Sequence, residues 1–195
     1  TADDREQIVF LNGAAVVALT LRGEQVWRYE WATSYDQNVA TPLRIAPGRV
    51  FVSEGYDDKG GVMLAADAAG AREAWRSEVM RNDFGTCVYL DGFIYGFDGT
   101  SLKCIDATDG AEQWIKRGYG RGTLIAADGR LFVLGERGQL AIIEARPDVY
   151  TLLTDVKQAI AGKCWTAPSL ADGGLYLRDE KTLLRMDLTG GLPRR

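Results

Sequence analysis

The chain contains no histidine, and this absence excludes several kinds of catalytic site. Nucleophilic catalysis by Ser-His-Asp or Cys-His arrangements, histidine general bases and histidine-ligated zinc all need an imidazole side chain. Only three cysteines occur, Cys87, Cys104 and Cys164, and their spacing forms no CxxC metal or redox motif. Because the number is odd, they cannot all pair with one another. Cys87 and Cys104 lie in strand-like runs, and we expect them to be buried free thiols.

Long apolar runs are also missing, since no segment approaches the roughly 20 apolar residues of a membrane-spanning helix. The first residues, TADDREQIVF, lack a methionine, a basic region and an apolar core. A signal peptide is therefore absent, already removed or outside this sequence. The formal net charge of −4 gives no general attraction for nucleic acid or anionic membranes. Composition is otherwise that of a soluble globular protein with one sizeable core.

A pattern of Asp, then Gly four residues later and Trp eight residues later, recurs along the chain. Asp106, Gly110 and Trp114 show it most clearly. The other copies, in sequence order, are Leu19, Gly23 and Trp27; Asp67, Gly70 and Trp75; Glu144 and Leu152; and Asp187 and Gly191. These copies begin about 40 residues apart, so the chain contains an internal repeat.

A second signal runs in phase with the first and predicts β-hairpins. Gly48, Gly92, Gly129 and Gly173 each follow Pro or Asp and precede an aliphatic–aromatic pair. Asp-Gly between alternating apolar runs favours a type I′ turn, whose central residues need positive φ. The third unit then contains strands at about 85–90, 92–97, 101–106 and 111–117, and only DVKQAIAG indicates a short helix. Four strands in each unit of roughly 40 residues predict an all-β fold, a β-propeller with four-stranded antiparallel blades.

The repeat units span approximately 5–33, 37–80, 84–118, 121–156 and 163–192, in a single propeller domain or part of one. The first unit has no clear innermost strand before Gln7, and the last has no outermost strand after Leu188. We therefore expect about three complete blades and two partial ones. Because an open array leaves sheet edges exposed, we favour part of a longer propeller or a ring completed by a partner. The alternative is a self-contained ring of five blades, closed by pairing of the two ends.

The recurrent residues have a structural role in this fold. A Trp on the outer strand of one blade can lie over the Gly turn of its neighbour, and the Asp can accept hydrogen bonds from the turn. We assign this docking role to Trp27, Trp75, Trp114, Asp67, Asp106, Gly23 and Gly110. The pattern resembles the tryptophan-docking repeat of PQQ-binding-like, quinoprotein-type β-propellers, the BamB-like repeat proteins. The resemblance runs from about Gln7 to Leu188 and is strongest to the C-terminal half of such propellers. Asp109 departs from it, because the repeat usually has Thr before the Gly.

The candidate site lies in the loops before the innermost strands, since each blade contributes one such loop to the channel mouth. The candidate binding residues are Tyr35, Asp36, Asn38, Arg81, Asn82, Asp83, Arg121, Lys163 and Trp165. Cations facing Asp36 and Asp83 could bind an anionic ligand or a partner's acidic side chains. Alternatively, these residues form an internal ring of salt bridges that plugs the channel, which is the interpretation we favour. Trp31 is a further ligand or interface candidate, although its alternation with Tyr29 favours a packing surface.

Three functions remain open from the sequence. The first is a non-catalytic scaffold for protein–protein interaction or assembly, and the resemblance implies an exported, periplasmic location in the bacterial envelope. The second is binding of a small ligand or glycan at the channel mouth. The third is a fragment of a PQQ-dependent dehydrogenase, in which the resemblance implies calcium, an Asp base and an adjacent cysteine pair. No such pair occurs, and only Asp36 and Asp83 are nominated as bases.

We therefore expect no catalytic residues, metal or cofactor, and we expect a protein partner or further propeller blades to bind. Asp57 and Asp58 in SEGYDDKGG lack the alternating oxygen ligands of a calcium loop, which favours simple solvent exposure.

Overall fold

The computed structural model describes residues 6–67 and 69–189. These residues form eighteen strands in five antiparallel sheets, three with four strands and two with three. This confirms the prediction of an all-β propeller with three complete blades and two partial ones. The predicted Gly191 and the outer limits of the first and last repeat units lie outside the described residues.

The strands follow one another in sheet order. The first sheet contains β1 (Gln7–Leu11), β2 (Ala15–Thr20) and β3 (Gln25–Glu30). The second contains β4 (Leu43–Ala46), β5 (Arg49–Glu54), β6 (Gly60–Asp67) and β7 (Gly70–Ser77). The third contains β8 (Val88–Leu90), β9 (Phe93–Asp98), β10 (Ser101–Asp106) and β11 (Glu112–Lys116). The fourth contains β12 (Thr123–Ala127), β13 (Arg130–Leu134), β14 (Leu140–Glu144) and β15 (Thr151–Val156). The fifth contains β16 (Ser169–Ala171), β17 (Gly174–Arg178) and β18 (Leu183–Asp187).

The Asp-Gly pairs form the predicted hairpin turns. At the three predicted turns, Asp91-Gly92, Asp128-Gly129 and Asp172-Gly173, both residues have positive φ, for example 49° at Asp91 and 90° at Gly92. Positive φ at both central positions is the type I′ conformation, whose twist matches that of the flanking strands. These turns join the first two strands of the third, fourth and fifth sheets and so fix their register.

Four apolar clusters hold the sheets together, and each cluster joins two consecutive sheets. The clusters fall between sheets because strand residues alternate, so that each sheet has apolar side chains on both faces. The first strands β4, β8 and β12 lie beside one another, which makes them the innermost strands. None of the four clusters contains described residues of both β1–β3 and β16–β18.

Two docking tryptophans bind the next sheet. A Cβ atom at Gly110 would lie 2.8 Å from Cζ3 of Trp75, so the indole ring covers this glycine. Trp75 Nε1 donates a hydrogen bond to the carbonyl of Ala107 at 3.1 Å, and Trp114 Nε1 donates to the carbonyl of Arg146 at 2.8 Å. Trp27 instead donates to Oε1 of Gln7 in its own sheet. Burying an indole while satisfying its N–H makes this contact both apolar and directional.

The anchor residues of the repeat differ from the sequence alignment at two places. Asp106 accepts hydrogen bonds from the backbone N–H and hydroxyl of Thr108. In the first sheet Thr20, not Leu19, occupies this position, because its Oγ1 accepts from the N–H groups of Arg22 and Glu24. The turn of the first sheet is one residue shorter than that of the third sheet, because Trp27 pairs with Ala18 whereas Trp114 pairs with Cys104. An alignment that assumes eight residues between anchor and Trp therefore selects Leu19 instead of Thr20.

Asp67 is also displaced along its hairpin. Trp75 pairs with Met63, whereas Trp114 pairs with Cys104, so the second sheet has a hairpin two residues longer. Asp67 therefore closes a tight turn opposite Gly70 and accepts a hydrogen bond from Ala69 N–H.

One further expectation was wrong, and for Trp31 the packing surface that the sequence favoured is observed. The DVKQAIAG segment forms no helix, because Ala159 N–H donates to the carbonyl of Gly138 and Ile160 is buried against the fifth sheet. Trp31 is not available to a ligand, because only 1% of its surface is exposed. Its ring packs at 6.3 Å from that of Tyr29, with Lys59 and Arg76 over the indole.

Candidate binding face and charged cleft

The four segments that precede β4, β8, β12 and β16 lie at one end of the molecule, here called the loop face. A threonine recurs near the start of each inner strand, at positions 41, 86 and 166 just before the strand and at position 123 as the first residue of β12. Thr41 N–H donates to Oγ1 of Thr86 at 3.1 Å, and Thr123 Oγ1 donates to the carbonyl of Thr166 at 3.4 Å. These bonds link neighbouring loops in pairs, so residues distant in sequence share one surface.

Arg81 and Asp98 form an ion pair on the loop face. Arg81 Nε donates to Oδ1 of Asp98 at 2.7 Å, and Lys103 Nζ lies 2.8 Å from Oδ2 of the same carboxylate. Burial alone would raise the pKa of Asp98, but hydrogen bonds from Arg81 and Lys103 outweigh it and hold this pKa below its usual value. Lys103 also pairs with Glu112 at 2.6 Å. The carboxylate is thus fully engaged by two cations.

Asp83 and Arg121 form a second ion pair on the loop face. Arg121 Nε lies 2.9 Å from Oδ2 of Asp83, whose side chain is largely buried. Burial raises the pKa of Asp83 above its usual value, and the nearby positive charges of Arg121 and Arg81 only partly oppose this. Arg81 also reaches Asp58 at 3.3 Å, a weak contact because both side chains are exposed.

These charged groups surround a cleft of about 500 Å³. Four cationic side chains, those of Arg81, Lys103, Arg117 and Arg121, line it together with Asp58, Asp83 and Asp98. The ion pairs neutralise most of this charge internally. The arrangement can position polar groups of a partner, although Arg81, Lys103 and Arg121 are already paired with carboxylates of the same chain.

Asn82 lies beside this cleft but is buried. Its side-chain amide donates to the carbonyls of Met80 and Phe97, at 3.1 and 2.7 Å, and Cys87 Sγ donates to its Oδ1 at 3.1 Å. Asn82 therefore holds the loop onto β9 and presents no free polar atom. Cys87 is a buried free thiol, as the sequence predicts, and burial raises its pKa to about 12.

Trp165 joins the fifth sheet's loop to the third and fourth sheets. Its ring centroid lies 4.8 Å from that of Phe84, and its Nε1 donates to Oε1 of Glu136 at 3.2 Å. Lys163 Nζ lies 4.3 Å from the centre of the indole ring, a cation–π distance. About half of Trp165 remains exposed. The structure thus brings Lys163 and Trp165 together with the loop that carries Asp83.

Tyr35, Asp36 and Asn38 lie on the first loop, apart from these cations. Tyr35 is 92% exposed within a short 3₁₀ turn at Ser34–Asp36. Asp36 packs against Gly13, and Asn38 Nδ2 donates to the carbonyls of Asn12 and Trp31. The loop reaches the second sheet through Ser34 N–H, which donates to Asp57 at 2.6 Å.

Sequence reasoning missed Asp98, Lys103, Glu136 and Phe84. Asp98 and Lys103 lie on strands β9 and β10. A charged residue within an apolar strand indicates a buried ion pair, so the sequence could have pointed to these two residues. Phe84 follows the nominated Asp83 directly. Glu136 sits in a hairpin turn and offered no signal, because its partners Arg121 and Trp165 belong to other loops.

No cluster of three or more metal-ligating side chains occurs in residues 6–67 and 69–189. The same part of the chain contains no helix that is long and apolar enough to cross a membrane.

The repeats, sheets and docking tryptophans match a known family. A family model described as "Outer membrane protein assembly factor BamB" matches residues 1–116 and 98–192. The chain belongs to this family. No individually curated protein matches the chain significantly.

Solved structures show the same fold at low sequence identity. BamB from Moraxella catarrhalis is 14% identical, with a TM-score of 0.52, and the match covers 92% of this chain and 68% of that one. A protein of unknown function from Bacteroides caccae is also 14% identical, with a TM-score of 0.59 and coverage of 94% and 75%. The PQQ-like, BamB-like resemblance inferred from the repeats is thereby confirmed.

Proposed function

We propose that this BamB family member is a non-catalytic scaffold that binds a protein partner through its loop face. The observation that carries the proposal is the exposed aromatic side chain of Trp165 on a rigid base. Phe84, Glu136 and Lys163 all hold it in place, so it loses little conformational freedom when a partner covers it.

The surroundings of Trp165 fit a protein interface. Stable interfaces commonly have aromatic anchors surrounded by a polar rim. Here the rim is the charged cleft with Arg81, Asp83 and Arg121, and Tyr35 provides another exposed aromatic on the first loop. The nominated bases Asp36 and Asp83 pack against Gly13 and Arg121 respectively, an arrangement that supports a binding role more than proton transfer.

Site-specific photo-crosslinking tests this proposal. A benzoylphenylalanine at position 35 or 165, introduced in the cells that produce the protein, should capture a discrete protein partner. The same group at Leu21 is the control, because Leu21 is exposed in the β2–β3 turn at the opposite end. Equal capture at all three positions, or none at positions 35 and 165, would contradict binding through the loop face.

The family description supports a location in the cell envelope. We expect the native protein to be found with envelope fractions when cells are separated into soluble, periplasmic and membrane portions. Recovery in the cytoplasmic fraction alone would contradict this part of the proposal.

A small ligand in the charged cleft is a second candidate function. The cleft volume of about 500 Å³ is in the range of small-molecule sites. A ligand specific for the cleft should raise the melting temperature of the chain but not that of an Arg121→Gln variant. A screen of glycans and organic anions in which nothing produces such a shift would eliminate this candidate.

A further inference from the structure

A cavity of about 390 Å³ lies between the third and fourth sheets, near their outer strands β11 and β15. One wall is formed by residues 116–119, at the end of β11 and just after it. The other wall belongs to the fourth sheet and its turns, and it consists of Gln139, Tyr150, Leu152, Asp155 and Lys157. Among the described residues, Arg117 alone lines both this cavity and the charged cleft. The cavity is therefore a separate concave site, and its volume is in the range of small-molecule sites.

Two tyrosines on the cavity wall are joined through their hydroxyl groups. Tyr119 Oη lies 2.6 Å from Tyr150 Oη, so one hydroxyl donates a hydrogen bond to the other. The pair has two O–H donors, and this contact uses only one of them. The second O–H has no acceptor in residues 6–67 and 69–189. Because only 5% of Tyr119 is exposed and both side chains line the cavity, this donor is available to an acceptor bound there.

Both phenols keep their protons at neutral pH. Burial is the main cause that raises the pKa values of Tyr119 and Tyr150 above the ordinary value of a phenol. The free O–H of the pair is therefore a permanent donor. A buried donor without an acceptor is costly, so a ligand that accepts from it gains free energy.

Positive charge predominates around the same cavity. Lys116, Arg117 and Lys157 line it, and Asp155 is the only acid among its described lining residues. Lys157 pairs with Asp155, and Nε2 of Gln139 donates to Oδ1 of this carboxylate at 3.0 Å. These hydrogen bonds lower the pKa of Asp155, which therefore stays ionised. Three cations against one carboxylate leave two positive charges beside the tyrosine pair.

The donors and charges fit a phosphate group better than a carboxylate. A phosphomonoester has three strong acceptor oxygens and a charge of about −1.5 to −2 at neutral pH, which matches the excess positive charge. A carboxylate has two oxygens and a single charge, so it would leave one cation without a counter-charge. Lys116 Nζ lies 5.0 Å from the centre of the Tyr150 ring, which places this ammonium group against the tyrosine pair.

We propose that the cavity between β11 and β15 binds the phosphate group of a small phosphomonoester. The free O–H of the Tyr119–Tyr150 pair donates to one phosphate oxygen, and the ammonium groups of Lys116 and Lys157 pair with the others. Leu152, about half exposed on the cavity wall, contacts the carbon skeleton of the ligand. Soluble phosphomonoesters and phosphomonoester lipid headgroups share this chemistry. The site does not depend on the proposed scaffold function of the loop face.

Calorimetric titration of the full 195-residue chain with glycerol phosphate tests the proposal. We expect saturable binding to one site at constant ionic strength. Acetate should bind at least about tenfold more weakly, because it makes fewer hydrogen bonds to charged groups. Absence of saturable binding at millimolar glycerol phosphate, or an equal affinity for acetate, would overturn the proposal.

Tyrosine variants test the shared hydroxyl pair. Tyr119→Phe and Tyr150→Phe should each retain most of the affinity, because the remaining phenol can direct its own O–H to the phosphate. The double variant should bind at least about tenfold more weakly, the effect of losing one hydrogen bond to a charged group. Circular dichroism checks that the variants are folded. Wild-type affinity in the folded double variant would refute the role of the pair.

Charge variants identify the cavity without changing the buried tyrosines. Lys116→Gln should weaken binding about tenfold. Lys181→Gln is the matched control, because Lys181 is exposed in the β17–β18 turn and its replacement removes the same charge. Arg121→Gln, in the charged cleft, should also leave the affinity unchanged. A loss in Arg121→Gln with none in Lys116→Gln would place the ligand in the charged cleft and overturn the assignment.

Vesicle sedimentation distinguishes the two sources of the phosphate group. The vesicles contain phosphatidylcholine with either phosphatidic acid, a phosphomonoester, or phosphatidylglycerol, a phosphodiester. Binding to phosphatidic acid alone, abolished by Lys116→Gln, would support a lipid headgroup as ligand. Binding of glycerol phosphate without vesicle binding would support a soluble ligand. Vesicle binding that Lys116→Gln leaves intact, in a chain that does not bind glycerol phosphate, would overturn the proposal.

Discussion

At the scale of single residues, the contact between Trp75 and Gly110 shows how the repeat joins two sheets. Gly110 has a φ of 78°, which glycine adopts without the steric penalty of other residues. Gly110 is also covered by the Trp75 ring. Glycine is therefore needed here for two reasons: the backbone has positive φ, and the indole leaves no room for a side chain. Gly92 has a similar φ of 90° but no heavy atom within 4 Å of its Cβ position.

Comparison of these two glycines separates conformation from docking. Gly92→Ala should cost about 1 kcal/mol through backbone strain alone. Gly110→Ala should cost about 1–3 kcal/mol more, because the added methyl group overpacks against the indole. In a Trp75→Ala background most of this excess should disappear, leaving only the contact at 3.2 Å between the added methyl group and Cβ of Ser77. Urea denaturation measures all of these free energies, and an excess cost of Gly110→Ala that persists without Trp75 would rule out the docking explanation.

The buried thiols give a second prediction at this scale. Burial raises the pKa values of Cys87 and Cys104 to about 12, so almost no thiolate is present at neutral pH. Cys164 is also fully buried. We expect a thiol reagent such as Ellman's reagent to react with essentially no cysteine in the folded chain. All three should react in guanidinium chloride. Rapid reaction of a folded-state thiol would mean that its sheet opens locally.

At the scale of strands, the ion pairs of Lys103 cross the third sheet. Lys103 on β10 pairs with Asp98 at the end of β9 and with Glu112 at the start of β11. The side chains of Lys103 and Asp98 are both nearly inaccessible to solvent. Removing one partner of a buried pair leaves the other charge uncompensated, which is strongly destabilising.

The Asp98→Asn substitution should therefore destabilise the chain by about 2–4 kcal/mol at pH 7. The folded-state pKa of Asp98 is lower than its unfolded value, so its stabilising contribution is present above pH 4, roughly the unfolded value, and disappears as pH falls through the folded value. The difference between wild type and variant should shrink at pH 3. Asp148→Asn, which removes an exposed ion pair with Arg146, is the control and should have no resolvable effect. A pH-independent difference for Asp98→Asn would contradict the ion-pair explanation.

Hairpins show where the regular spacing of a repeat is misleading. Thr20 replaces Leu19 as the turn anchor because the turn of the first sheet is one residue shorter. Asp67 lies beyond the anchor position because its hairpin is two residues longer. In both cases a residue eight positions before the Trp imitates the repeat, but the strand pairing shows that it is not the structural anchor.

At the scale of the whole molecule, each sheet is stabilised by its neighbours in the chain. The four apolar clusters connect consecutive sheets, as in other repeat proteins in which each unit contacts the next. The described residues of the first and fifth sheets have no common cluster. The outer side of β1 accordingly leaves Ile8 and Phe10 about half exposed.

This arrangement predicts an open arc in solution. A compact globule of 195 residues has a radius of gyration of about 16 Å. We expect small-angle X-ray scattering to give a larger value for a monomer whose mass is verified by light scattering. A monomer at about 16 Å would instead support closure of the five sheets into a ring.

The sequence by itself determined the all-β propeller fold, because the repeat period, the Asp-Gly turns and the alternation of apolar residues are local properties. It also indicated the loops of the candidate face, and it placed Arg81, Asp83 and Arg121 in them. Tertiary structure alone decided the partners: Arg81 and Lys103 both pair with Asp98, Glu136 supports Trp165, and Trp31 is buried. These contacts join different strands and loops, and their geometry depends on how strands and sheets pack and twist against one another. Spacing along the chain carries no information about that packing.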